Sequence, residues 1–137
     1  MSYNGKVARF MSLAKNIARQ SEFSDYRHGA ILVKGGSIIS TSPNKDSFCS
    51  FGARFRNGHD QPGHATLHAE IGAILGLART TTDGATLSVA RIGKAGEFRM
   101  SKPCQMCEST LRHVGIKRVI YSINNKEVGG YKLCREY

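Results

Sequence analysis

Two short clusters of metal-binding side chains constrain this chain more than any other feature: His68-Ala69-Glu70, and further on Pro103-Cys104-Gln105-Met106-Cys107. To serve one site, each must stand at the start of a helix that follows a strand. Ligand sets on adjacent strand–helix units then meet at one edge of a sheet. Thr66 suits a helix N-cap, and Leu67, Ile71, Ile74, Leu75 and Ala78 recur at helical intervals. The spacing therefore predicts a helix running through Arg79, with His68 and Glu70 in its first turn. Pro103 suits the first position of a second helix, where its missing N–H is not needed, and Gly115 suits the exit. Cys104 and Cys107, three apart, then share one face in that helix's first turn.

The remaining periodicity supplies the sheet. Residues 1 to 20 carry Lys6, Arg9, Lys15 and Arg19 with no acid, as transit peptides do. Val7, Phe10, Met11, Ala14 and Ile17 nevertheless fall at helical spacing and predict a helix of the domain itself. The runs 28–34 and 37–41 are rich in β-branched and apolar residues and flank Gly35-Gly36, a two-residue hairpin signal. Residues 42–65 form a polar loop long enough to border a substrate site. Strands are predicted over 85–92 and 117–122, with a glycine-bearing loop from the first of these to Met100.

From residue 37 onward strands and helices alternate, which predicts an α/β fold of three layers, α/β/α. Its mixed sheet has four to five strands, helices on both faces and parallel pairing on one side. The chain after Tyr121 is too short for a further helix and strand, so the far sheet edge is expected to be open or finished by a partner chain in a homo-oligomer.

A length of 137 residues suits one domain, expected to span 1–137 with a core of about 5–122 and a short tail at 123–137. No apolar run approaches the roughly 20 residues that cross a bilayer. Cysteines at 49, 104, 107 and 134, with no secretory signal, favour metal binding in a reducing, cytoplasmic setting over a disulfide framework. The formal charge of +10 suits a phosphorylated or polyanionic partner. Because the basic residues are scattered, a solvated basic surface is the competing reading.

One imidazole and two thiolates give a tetrahedral zinc three protein ligands and leave one position open for water, as in catalytic sites. Helix N-termini place positive potential beside the sulfurs, which favours thiolates. A structural site would instead recruit Cys49, Cys134, His59, His64 or His113 as a fourth ligand. Arg54 and Arg56, in the loop before the zinc helix, have the chemistry to hold a phosphate, and equally that of solvated loop arginines.

The two clusters together closely resemble the zinc signature of cytidine, deoxycytidylate and tRNA adenosine deaminases. The resemblance extends to His28-Gly29-Ala30-Ile31-Leu32-Val33, to Asn44, and to Gly115-Ile116-Lys117-Arg118-Val119-Ile120-Tyr121. It implies a cytidine deaminase-like fold, with zinc on His68, Cys104 and Cys107. It also implies Glu70 as the proton carrier, the Ala69 N–H as a donor to the base's carbonyl oxygen, and Asn44 as a contact to sugar or base. Asn44 has a plainer reading as a turn residue.

The implied reaction is hydrolytic deamination of a cytosine nucleoside or nucleotide, such as cytidine, deoxycytidine or their monophosphates. The alternatives are a base within single-stranded nucleic acid or tRNA, and a zinc-stabilised binding module without turnover. Gly72 stands where deoxycytidylate deaminases usually carry asparagine, and Met100-Ser101-Lys102 where tRNA deaminases usually carry Thr-Leu-Glu.

Overall fold

The computed structural model of the protein describes residues 3, 5–23, 26–48 and 66–133. Strand β1 (Arg27–Lys34) pairs antiparallel with β2 (Ser37–Pro43) through Gly35-Gly36, as the hairpin signal predicted. Both glycines have positive φ, 61° and 81°, which matches a turn whose twist follows that of the strands. On its other side β1 pairs antiparallel with β5 (Thr86–Ile92), and β5 pairs parallel with β7 (Arg118–Ser122).

Alternation along the strands builds two cores. Ala30, Leu32, Leu87, Val89 and Val119 share one buried cluster, while Ile31, Val33 and Ala90 belong to another on the opposite face. The second face is covered by α1 (Gly5–Ala18), through Phe10, Met11 and Ala14. Gly29 is required there, because a Cβ would drive into the backbone of Ala14 and Ala18.

The first face receives α2 (Ala69–Ile74) and α4 (Gln105–His113) through Ala69, Ala73, Ile74 and Leu111. Between them lies the short α3 (Arg79–Thr82). Helices thus lie on both faces of a mixed sheet, as the alternation predicted, in the cytidine deaminase-like arrangement that the resemblance implied; the sheet has six strands where four to five were expected, because β6 and β8 add to it. Among the described residues, no helix is long and apolar enough to cross a membrane.

Several boundaries differ from the sequence expectation. The helix expected through Arg79 ends at Ile74, because Gly76 adopts φ 81° and turns the chain before α3 begins. His68 is its N-cap rather than a residue of its first turn. Pro103 precedes α4, and Cys104 is the N-cap. The polar stretch after β2 is partly strand, since β3 (Lys45–Phe48) pairs with β4 (Thr66–Leu67). The glycine-bearing loop after β5 holds a two-residue strand, β6 (Phe98–Arg99), which pairs with the end of β5.

The largest correction is at the tail. Strand β8 (Val128–Lys132) pairs antiparallel with β7, so the chain itself, not a partner, occupies the edge that was expected to be open. Gly129-Gly130 reads as a breaker, yet Gly129 lies opposite Tyr121, whose ring fills the space a Cβ would need.

Candidate metal centre and active site

Backbone dihedrals at the two N-caps aim the ligands. His68 (φ −70°, ψ 149°) and Cys104 (φ −69°, ψ 169°) are both extended, and neither side chain caps its own helix. Each is therefore free to turn across the gap between α2 and α4, which start side by side on the same face of the sheet. Cys104 Sγ lies 3.8 Å and Cys107 Sγ 3.1 Å from His68 Nδ1. All three donor atoms fall within 4.8 Å of one another. A tetrahedral zinc with ordinary bond lengths separates such donors by roughly 3.5–3.8 Å, so this imidazole and two sulfurs fit the ion with small adjustments.

His113, at the far end of α4, is not part of the cluster. Cys49, Cys134, His59 and His64 lie outside the described residues, as do Arg54 and Arg56.

The electrostatics suit a metal. The hydrogen bond with Cys107 is the largest influence on the Cys104 thiol, and with His68 it outweighs burial and brings the pKa down to about 4. The same bond, together with complete burial, pushes the Cys107 thiol well above its usual range. A cation bound there would favour the thiolate form of both sulfurs. Glu70, 5% exposed, lies in α2's first turn; burial raises its carboxyl above the ordinary range, and His68 opposes that rise.

These residues open onto a cavity of about 490 Å³ lined by Phe23, Tyr26, His28, Asn44, His68, Ala69, Glu70, Lys102 and Cys104. Ala69 is the first helical residue, so its N–H has no partner within the helix. Asn44, 8% exposed, clamps the strand entry. Its Oδ1 accepts the His28 N–H at 2.9 Å and the Ser21 hydroxyl at 2.5 Å, while its Nδ2 donates to the Tyr26 carbonyl at 2.6 Å. The turn-type role is therefore real, and one amide hydrogen remains beyond these bonds.

Phe23, Tyr26, His28 and Lys102 are wall residues that motif reasoning passed over. A usable signal existed for His28, which continues the alternation of Ala30 and Leu32 on the face that carries the metal ligands.

Residues 5–123 match the family model for the cytidine and deoxycytidylate deaminase zinc-binding region. The chain belongs to that family. It is a zinc-type deaminase, and His68, Cys104 and Cys107 are placed to bind a metal ion. A deoxycytidylate deaminase of Mycobacterium phage D29 is 30% identical over 125 residues, covering 82% of this chain and 90% of that protein. A dCMP deaminase from cyanophage S-TIM5, solved in apo form and with dCMP and dUMP, has a TM-score of 0.58 at 24% identity. That match covers 83% of this chain and 79% of the apo phage enzyme, and it shows the shared fold. RibD of Acinetobacter baumannii shares the fold more distantly, with a TM-score of 0.50 at 18% identity over 82% of this chain and 27% of RibD.

Proposed function

We propose that the chain hydrolytically deaminates a free cytosine nucleotide, of which deoxycytidylate is the first candidate, to the uracil product and ammonia. The observation that carries the reading is the convergence of a three-donor metal site and a buried carboxylate, Glu70, on one cavity of nucleotide size. The phage relative that shares 30% identity is a deoxycytidylate deaminase, which favours the monophosphate over the free nucleoside.

His68, Cys104 and Cys107 would hold zinc, which would supply a water of lowered pKa as the nucleophile. Glu70, whose buried carboxyl is made more basic than usual, would take a proton from the attacking water. The same carboxyl hands that proton to the ring nitrogen as the water oxygen adds to the neighbouring carbon, then takes the remaining proton from the added hydroxyl and passes it to the amine as the carbon–nitrogen bond breaks. The Ala69 N–H, at the positive end of α2, holds the base's carbonyl oxygen, and the remaining Asn44 amide hydrogen meets the sugar. Phe23 and Tyr26 give the cavity wall aromatic surface that suits a bound base. Lys102 is a cation of the described wall and suits an anionic substrate.

The test is ammonia release by zinc-loaded protein across cytidine, deoxycytidine, CMP, dCMP, single-stranded DNA and RNA. Glu70→Gln serves as the control. Turnover of dCMP or CMP well above that of the nucleosides supports the reading. Turnover of polymer alone, or none on any compound, overturns it.

A further inference from the structure

The mechanism above leaves one polar wall residue without a task. His28 opens β1 on the same sheet face as Ala30 and Leu32, the face on which α2 and α4 present the metal ligands. It lines the cavity with His68, Glu70 and Cys104. Its strand partner is Arg91, which the alternation of Leu87 and Val89 places on that same face beside it. Arg91 in turn lies under the Tyr26 ring, 4.9 Å from its centroid.

Burial, with Arg91 and His68 nearby, brings the His28 pKa down to about 4 against the support of a hydrogen bond to the Tyr26 carbonyl. A neutral imidazole has one N–H and one bare nitrogen. The N–H is committed to Tyr26, so the bare nitrogen acts as a hydrogen-bond acceptor in the cavity wall.

From this placement we propose that His28 is a specificity-determining residue that accepts a hydrogen bond from the exocyclic amine of cytosine. The inference rests on the cytosine reading above. His28 shares the cavity wall with His68, Glu70 and Cys104, on the sheet face against which α2 and α4 pack, and so belongs to the metal end of the cavity. The ring carbon under attack must sit at that end, and the amine is the donor cytosine presents there. In the uracil product the same position carries a carbonyl oxygen, an acceptor that faces an acceptor. His28 thereby favours substrate over product and helps clear the cavity after the reaction.

The experiment compares wild type with His28→Val and His28→Gln as zinc-loaded enzymes, measuring KM for dCMP and the inhibition constant of dUMP. Zinc content and a thermal melt are recorded for each protein. One hydrogen bond corresponds to about 3- to 10-fold in affinity. His28→Val is expected to raise KM by that factor while the dUMP constant stays level or falls. His28→Gln, whose amide oxygen still accepts, is expected to keep most of the wild-type ratio, and it carries the test if the valine variant does not fold. An unchanged KM, or KM and product constant rising by one common factor, would overturn the assignment. A wild-type enzyme that turns over no cytosine compound would instead remove the underlying reading, and the inference with it.

Discussion

Replacing Ser122 with alanine should loosen the metal site from a distance, and the structure gives the size of the effect. Ser122 is fully buried, and its hydroxyl sits where β5 and β7 part. Its oxygen accepts the Arg91 N–H at 3.1 Å, and its proton goes to the Arg99 carbonyl at 2.6 Å. It also lies 2.8 Å from the Ser101 hydroxyl, which accepts the Ser122 N–H at 2.7 Å and donates to the Val89 carbonyl at 3.0 Å. This pair of hydroxyls fastens the segment 99–102, which leads into Cys104, onto the sheet.

Ser122→Ala removes the hydroxyl that partners the Arg91 N–H and the Arg99 carbonyl at a part-buried place in the sheet. Each of these two hydrogen bonds contributes about 0.5–1.5 kcal/mol, so the expected loss is about 1–3 kcal/mol. Urea unfolding of the zinc-loaded protein measures it, and competition with a chromophoric chelator reads the accompanying loss of zinc affinity. Ser101→Ala should behave alike, and the double variant should lose less than the sum, because the two sites share partners. A change below about 0.5 kcal/mol in Ser122→Ala would refute the reasoning, since an ordinary exposed serine behaves that way.

Cys107→Ser should abolish stoichiometric zinc, read by elemental analysis, because a buried hydroxyl replaces a ligating thiolate. Leu111→Ala, at a fully buried position between α4 and the sheet, should destabilise the fold by about 2–5 kcal/mol in denaturant titration. Gly29→Ala should be comparably harmful, because α1 must lift from β1 to admit the methyl group; a wild-type melting temperature would contradict that packing. His28 has a folded pKa of about 4 against 6.5, so its neutral form is the one folding favours. That contribution is whole above pH 6.5 and is lost as pH falls toward 4. His28→Val should therefore show a shallower loss of unfolding free energy than wild type across this interval.

What could be read from the sequence follows from where the information lies. The ligand set was legible because His68, Cys104 and Cys107 are short motifs whose chemistry needs those residue types at helix starts. The hairpin and the parallel β5–β7 pair were legible because their apolar residues repeat at the strand period. Gly76 was passed over inside an apolar pattern, although a left-handed residue stops a helix. Strand β8 was hidden for a different reason. Gly129 looks unfavourable until the Tyr121 ring that covers it is known, and that is a contact between strands, not a local preference. The cavity wall was equally non-local: Lys102 joins Tyr26 and His28 from a distant segment, and neither Tyr26 nor Lys102 carries a motif of its own.

The central claim is that zinc is held by three protein ligands, with its fourth position open to the cavity that contains Glu70. X-ray absorption at the zinc edge of the zinc-loaded protein tests it most directly. The account predicts two sulfur neighbours at about 2.3 Å and two light-atom neighbours at about 2.0–2.1 Å, of which one scatters as imidazole. It also predicts that adding dUMP alters the shell of the non-imidazole light atom. A third sulfur, or a second imidazole with a shell indifferent to nucleotide, would make the site closed and structural and would contradict the account.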